Sequence, residues 1–205
     1  MRQTLFKLLS PGPVRSTAVK MSRAVFGWPP RAATFPEKTA AIVNVARERG
    51  ITNLIETGTF EGDMIEAQRE NFNKIITIEL SEQLCERARL RFSSYGHITV
   101  LHGDSGTMLS EAMRRIEGSA VFWLDAHYSG GVTAEGNAEA PVLKELSMIA
   151  ARGNKGDAIL IDDARLFGRD VGYPKLVAVR EFVAQHFPNY AFTIELDAIR
   201  IIPQL

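Results

Sequence analysis

The chain has 205 residues, 45% of them hydrophobic, which is enough for one domain with a full core and too little for two. Lysine plus arginine and aspartate plus glutamate each number 24, so the formal net charge is zero and no global field draws the protein to nucleic acid or an anionic membrane. A single cysteine, Cys85, excludes an internal disulfide and a thiol metal cluster, and fits a reducing compartment.

The charge is unevenly spread. Six basic side chains (Arg2, Lys7, Arg15, Lys20, Arg23 and Arg31) and no acidic one precede Glu37, so the remainder carries the matching excess of acid. Prolines at 11, 13, 29, 30 and 36 break this stretch, and residues 1–36 are expected to form a basic arm in front of a domain at 37–205. Lys7 interrupts the only early apolar run, leaving it shorter than a signal peptide or a membrane span. The expectation is a cytoplasmic protein without integral membrane contact; an organelle transit peptide is the competing reading of the arm.

From Pro36 the pattern changes. Pro36 suits a first helical turn, Ala40, Ile42, Val43 and Ala46 supply an apolar face, and Gly50 can stop the helix. Strand-like runs at 53–56, 74–79, 98–102, 120–125 and 158–162 then alternate with helical segments at 63–71, 81–92, 107–116, 141–151 and 174–187. That alternation predicts βαβ units with right-handed crossovers. After 187 the rhythm breaks, because 191–195 and 199–202 are joined by a link that only an antiparallel hairpin can use. The expected fold class is α/β: a single doubly wound, mostly parallel sheet of seven strands, helices on both faces, and a C-terminal antiparallel hairpin.

Four of the five parallel strands close on an acid and the third has one two residues later, giving Glu56, Glu79, Asp104, Asp125 and Asp162. Ligands of open α/β sheets bind at the carboxyl ends of the strands, so these side chains should line one crevice. Carboxylates there suit a ligand with hydroxyl donors and positive charge and disfavour a bare pyrophosphate. The first turn, Glu56-Thr57-Gly58-Thr59-Phe60-Glu61-Gly62, has two glycines spaced G-x-x-x-G, with Phe60 where a dinucleotide fingerprint needs its middle glycine. Gly58 permits a sharp turn and Gly62 a tight helix start against the ligand. Glu79 stands about twenty residues on, where a carboxylate can accept both ribose hydroxyls, although an acid capping the helix at Ser81 reads the same. Asp104 and Ser105 can meet an adenine amino group, or Asp104 can simply cap the next helix.

Together these strand ends resemble the class I S-adenosylmethionine-dependent methyltransferases over roughly 37–205. The resemblance implies that Glu56, Gly58, Thr59 and Gly62 hold the amino-acid part of the cofactor, Glu79 its ribose, and Asp104 with Ser105 its adenine. Asp125 is expected beside both cofactor and acceptor. The closing hairpin is a trait of the same family.

The acceptor half of the site is read from Trp123-Leu124-Asp125-Ala126-His127-Tyr128 and from Ile161-Asp162-Asp163-Ala164-Arg165. Asp125, Asp162 and Asp163 are three carboxylates of the kind that bind Mg²⁺, an arrangement similar to that of metal-dependent O-methyltransferases. Such a metal would lower the pKa of a bound hydroxyl. The long glycine-bearing stretch between the two elements departs from those families, and substrate hydrogen bonding or helix capping is the alternative role. His127, beside these acids, is the candidate general base, with Asp125 as its catalytic partner, and 129–136 is a candidate loop over substrate. The two prolines that base amino-methyltransferases carry after the acid are absent, which argues against nucleic acid. The function expected is methylation of a small-molecule hydroxyl, on a sugar or secondary metabolite, with self-association left open. The rival readings are an oxidoreductase or nucleotide-sugar enzyme on the same scaffold, and a catalytically degenerate fold serving as a scaffold.

Overall fold

The computed structural model describes residues 31–125 and 141–204. Helix α1 (Phe35–Arg49) starts with Pro36 in its first turn, two residues ahead of the expected domain boundary, and ends at Gly50, whose φ of 64° is the left-handed helix stop. Its N-terminus is fixed by Glu37, whose Oε2 accepts the Thr34 N–H at 2.8 Å. Five strand–helix units follow: β1 (Asn53–Thr57) and α2 (Asp63–Gln68), β2 (Lys74–Glu79) and α3 (Glu82–Arg91), β3 (Ile98–His102) and α4 (Ser105–Arg114), β4 (Val121–Leu124) and α5 (Pro141–Ala151), β5 (Ala158–Ile161) and α6 (Leu176–His186). The hairpin β6 (Tyr190–Glu195) and β7 (Ala198–Pro203) closes the sheet.

The seven strands are ordered β3-β2-β1-β4-β5-β7-β6. All pairs from β3 to β5 are parallel, and β7 runs antiparallel to both β5 and β6. The doubly wound sheet with its closing hairpin is therefore the observed architecture. The chain steps outward from β1 to β2 and β3, then returns to lay β4 on the other side of β1, with Thr57 opposite Leu124. This reversal opens a crevice at the carboxyl ends of β1 and β4.

Strands β1 to β5 alternate between two cores. Leu54, Ile75, Val121, Trp123 and Leu160 pack with Ile42, Val45, Ile65 and Cys85 of α1, α2 and α3. Ile55, Ile76, Phe122, Leu124 and Ile161 pack with Leu109, Leu146 and Val179 of α4, α5 and α6. Both faces are covered, which explains the continuous apolar runs of β4 and β5. One expectation is corrected in α1: Ala40 is exposed and Val43 only half-buried, while Ile42, Val45 and Ala46 are buried. The helix is rotated so that its inward stripe runs from Lys38 through Ile42 to Val45 and Ala46, the spacing of one helical face.

Two clamps hold the ends of the sheet. At the carboxyl end, the hairpin turn places Leu196 and Asp197 at φ 47° and 62°, the pair of left-handed residues that a tight two-residue hairpin needs. Asp197 is fully buried; its Oδ1 accepts the Arg165 N–H at 2.8 Å and its carbonyl accepts the Ala164 N–H at 2.7 Å, so the turn is fixed to the segment after β5. At the amino end, buried Asp157 accepts the Ala120 N–H at 2.8 Å and the Arg152 guanidinium at 2.5 Å, and Arg152 also donates to the Gly118 carbonyl at 2.6 Å. Replacing Asp157 with alanine strands a largely buried guanidinium, and we expect a loss of about 3 kcal/mol in urea unfolding, seen as a lower midpoint at unchanged slope.

Candidate active site

The first half of the site is the glycine turn after β1. Gly58, Phe60 and Gly62 have φ of 86°, 50° and 83°, so three left-handed residues fall within five. Gly58 and Gly62 adopt this freely. A side chain at Gly62 would also stand 2.8 Å from the Phe92 ring, so this glycine gives room to the end of α3. Phe60 is a strained position for an aromatic residue, and its ring is 68% exposed at the rim of the crevice. What holds it there is Glu79: the carboxylate accepts the Phe60 N–H on Oε2 and the Ser81 N–H on Oε1, both at 2.8 Å. Each oxygen keeps a second lone pair, so Glu79 can anchor the turn and still accept two hydroxyl hydrogens.

Glu56 lies deeper. It is buried, and Thr77 Oγ1 donates to its Oε2 at 2.6 Å, with Thr59 Oγ1 2.6 Å further along the same chain. Burial pushes Glu56 up to about 8 against the opposing Thr77 hydrogen bond, and the fields of Asp125 and Glu79 add to the rise. Asp104 sits immediately before α4, yet its side chain makes no cap hydrogen bond; it is about half exposed, 3.6 Å from the Lys144 ammonium. The carboxylate is thus presented at the crevice instead of being consumed by the helix.

Glu145 was not among the residues read from the sequence. It is a buried carboxylate on α5 that takes a hydrogen bond from Ser105 and faces Thr57, whose Oγ1 is buried and makes no hydrogen bond of normal geometry. Burial, opposed by these hydroxyls, lifts Glu145 to about 7. A signal was present: Glu145 falls between Val142 and Ile149 on the buried face of α5, where an acid has no reason to be unless it is used.

The second half of the site lies past β4 and β5. Asp125 stands beside the turn, its Cβ within 3.5 Å of where a Gly58 side chain would begin. Asp162 and Asp163 are buried. Asp162 Oδ2 accepts a hydrogen bond from the Lys38 ammonium, which lies 3.7 Å from Asp163 Oδ1, and Asp163 Oδ1 accepts one from Arg165 at 2.6 Å. Burial raises Asp162 to about 6 against the pull of Lys38. Burial opposes the charge on Lys38, but Asp162, Asp163 and Asp125 together outweigh it and raise its pKa. Tyr173, stacked edge-on to Phe167 at 5.2 Å, is held above its ordinary value by burial and then by Asp163, Asp125 and Asp162. His127 and the loop 129–136 lie outside the described residues.

The structure therefore gathers Glu56, Gly58, Thr59, Gly62, Glu79, Asp104, Ser105 and Asp125 around the β1–β4 reversal, and Asp162 with Asp163 beside it. These residues fit an adenosyl cofactor: carboxylate acceptors for ribose and amine, and a turn free of side chain at Gly58. They do not fit the Mg²⁺ considered as one possibility for Asp125, Asp162 and Asp163. Among the described residues no group of three or more His, Cys, Asp or Glu is disposed to hold a metal ion, and the two buried aspartates already face Lys38 and Arg165. Two cavities, lined by residues such as Asp157 with Tyr190 and Ala46 with Asn71, lie at the opposite, amino end of the strands and have no part in this site.

Solved structures resemble the chain over nearly its whole length. A Podospora anserina methyltransferase with SAH bound matches at 17% identity and TM-score 0.59, covering 97% of this chain and 100% of that one. The chain has the class I methyltransferase fold. An O-methyltransferase of Streptomyces achromogenes involved in tomaymycin synthesis, in complex with SAM, matches at 16% identity and TM-score 0.58 over 93% of this chain and 91% of that one. An N-methyltransferase of Bradyrhizobium japonicum WM9 matches at 12% identity and TM-score 0.56 over 83% and 96%. Ribosomal RNA methyltransferases also occur among the matches. No protein-family model and no curated protein matches the chain.

Glu145 makes a testable case for this geometry. An acid whose folded pKa is raised binds protons that the unfolded chain has released, so stability falls as pH rises from the ordinary carboxylate value through about 7. Glu145→Gln should flatten the fall in melting temperature between pH 5 and 8, with a gain on the order of 2 kcal/mol at pH 8 and almost none at pH 4. An unchanged pH profile would mean that Glu145 titrates normally.

Proposed function

We propose that the protein is an S-adenosylmethionine-dependent methyltransferase acting on a hydroxyl of a small molecule, a sugar or secondary metabolite. The observation that carries this reading is Glu79, which pins the glycine turn at the sheet reversal while keeping lone pairs for two ribose hydroxyls. When bound, S-adenosylmethionine supplies an electrophilic methyl carbon on a sulfonium centre. The chain's residues bind and aim it. The turn at Gly58 and Thr59, with Glu56 beneath it, takes the amino-acid part, Asp104 and Ser105 the adenine, and the Asp125 carboxylate favours the positive charge. Asp125 also borders the acceptor, so it holds the two reactants in register, and proximity supplies much of the rate. In this reading His127 takes the hydroxyl proton.

Oxygen is preferred as acceptor because carboxylates and an ammonium past β5 can accept from and donate to a hydroxyl. A neutral formal charge over 205 residues favours a small molecule over nucleic acid. The reading also keeps 1–36 as a basic arm in front of the catalytic domain, in a cytoplasmic protein.

Calorimetric titration with S-adenosylmethionine, S-adenosylhomocysteine and NAD tests the core of the proposal. The first two should bind and NAD should not, and Glu79→Ala should weaken S-adenosylhomocysteine at least about tenfold. His127→Ala should leave that binding intact and lower kcat by roughly 10²- to 10⁴-fold. Absence of adenosyl binding in the intact protein would leave a scaffold with a methyltransferase fold and no cofactor.

A further inference from the structure

The acceptor side of the crevice carries a cation of its own. Lys38 comes from the first turn of α1 and sits at the head of the inward stripe that continues through Ile42, Val45 and Ala46. Its partner Asp162 is 124 residues away, at the end of β5. The Lys38 side chain is 20% exposed and the Asp162 carboxylate 2%, so the pair is largely withdrawn from water. Asp162 Oδ1 is also taken, by the Asp163 N–H at 2.8 Å. Asp163 Oδ1 accepts Arg165 at 2.6 Å, and Arg165 is itself held by buried Asp197. The two buried carboxylates after β5 are thus matched by fixed cations drawn from α1 and from the 3₁₀ turn at Ala164–Leu166. A divalent ion could reach them only by displacing Lys38 from a buried partner or by lying beside a like charge.

We propose that Lys38 is the resident cation of the acceptor site: its ammonium stands where a divalent metal would act, orients the acceptor oxygen, and makes methyl transfer independent of metal. The orienting role rests on the methyltransferase reading; the exclusion of metal does not. An ammonium has three N–H donors, of which Asp162 and Asp163 engage at most two, leaving one for an acceptor oxygen. Lys38 keeps its proton throughout. As the oxygen–methyl bond forms and the sulfur–methyl bond breaks, with its electron pair going to sulfur, the hydroxyl proton leaves to the base, and Lys38 stabilises the charge that develops on oxygen.

The test uses the full chain, freed of metal by a chelator. Thermal unfolding of the wild type should not respond to Mg²⁺ or Mn²⁺. In Lys38→Met the buried aspartates lose their partner, and Mg²⁺ at a hundred times its Kd should raise the melting temperature by about 5 to 10 °C. Lys38→Arg, which keeps the charge, should behave like the wild type, and adding Asp162→Asn to Lys38→Met should abolish the gained response. A Mg²⁺-induced rise in the wild type that vanishes in Asp162→Asn would overturn the proposal without reliance on any lysine variant. So would a folded Lys38→Met with no gained response, or turnover that stops on chelation and returns with Mg²⁺. S-adenosylhomocysteine titration of the same wild-type sample reports separately on the methyltransferase reading.

Discussion

A parallel sheet points the carboxyl end of every strand at the same edge, and this chain places an acid at or just beyond each of them. Like charges then converge on one crevice, three of them at Glu56, Glu79 and Asp162 inside the protein. That arrangement is unfavourable in itself. Much of the local structure at this end answers it. Glu56 is pushed toward its neutral form and given the Thr77 hydroxyl. Glu79 is set on two backbone N–H groups. Asp162 receives Lys38, and Arg165 bridges Asp163 and Asp197.

The pleat distributes these roles. Consecutive residues of a strand face opposite sides, so Glu56 joins Thr77 and Thr59 on the α1–α3 side while Thr57 turns toward Ser105 and Glu145 on the α4–α6 side. Both chains of hydroxyls reach the crevice because β1 ends at the point where the strand order reverses. Two independent polar layers thereby support one short turn, and Phe60 can remain in its uncommon backbone conformation at the rim.

What the sequence makes legible follows from how far each signal reaches along the chain. Strand ends, the glycine spacing and the final hairpin are local patterns, and β2, β3 and α5 match their expected limits residue for residue. The position of Asp125 and Asp162 just past β4 and β5 follows from the same patterns. Lys38 was not legible because its importance depends on how α1 is rotated against β4 and β5; the expected apolar face included Ala40, which is exposed. With the stripe drawn through Val45 instead, Lys38 falls in line. Glu145 left a fainter trace, an acid in an otherwise apolar helical stripe. Three carboxylates suggested a metal because sequence lists the anions of a cluster near one another, whereas their cations come from distant elements.

The antiparallel strand β7 lies between β5 and β6, although β5 precedes it by about forty residues. Until β7 has been synthesised, Ile159 and Ile161 belong to an open strand edge, the kind of surface that pairs with other chains. The turn that fixes Arg165 through Asp197 is absent over the same interval. Completion of the Arg165–Asp197 contact and concealment of this edge are therefore one event in folding, and any delay between β5 and β7 leaves the chain both without that contact and prone to associate.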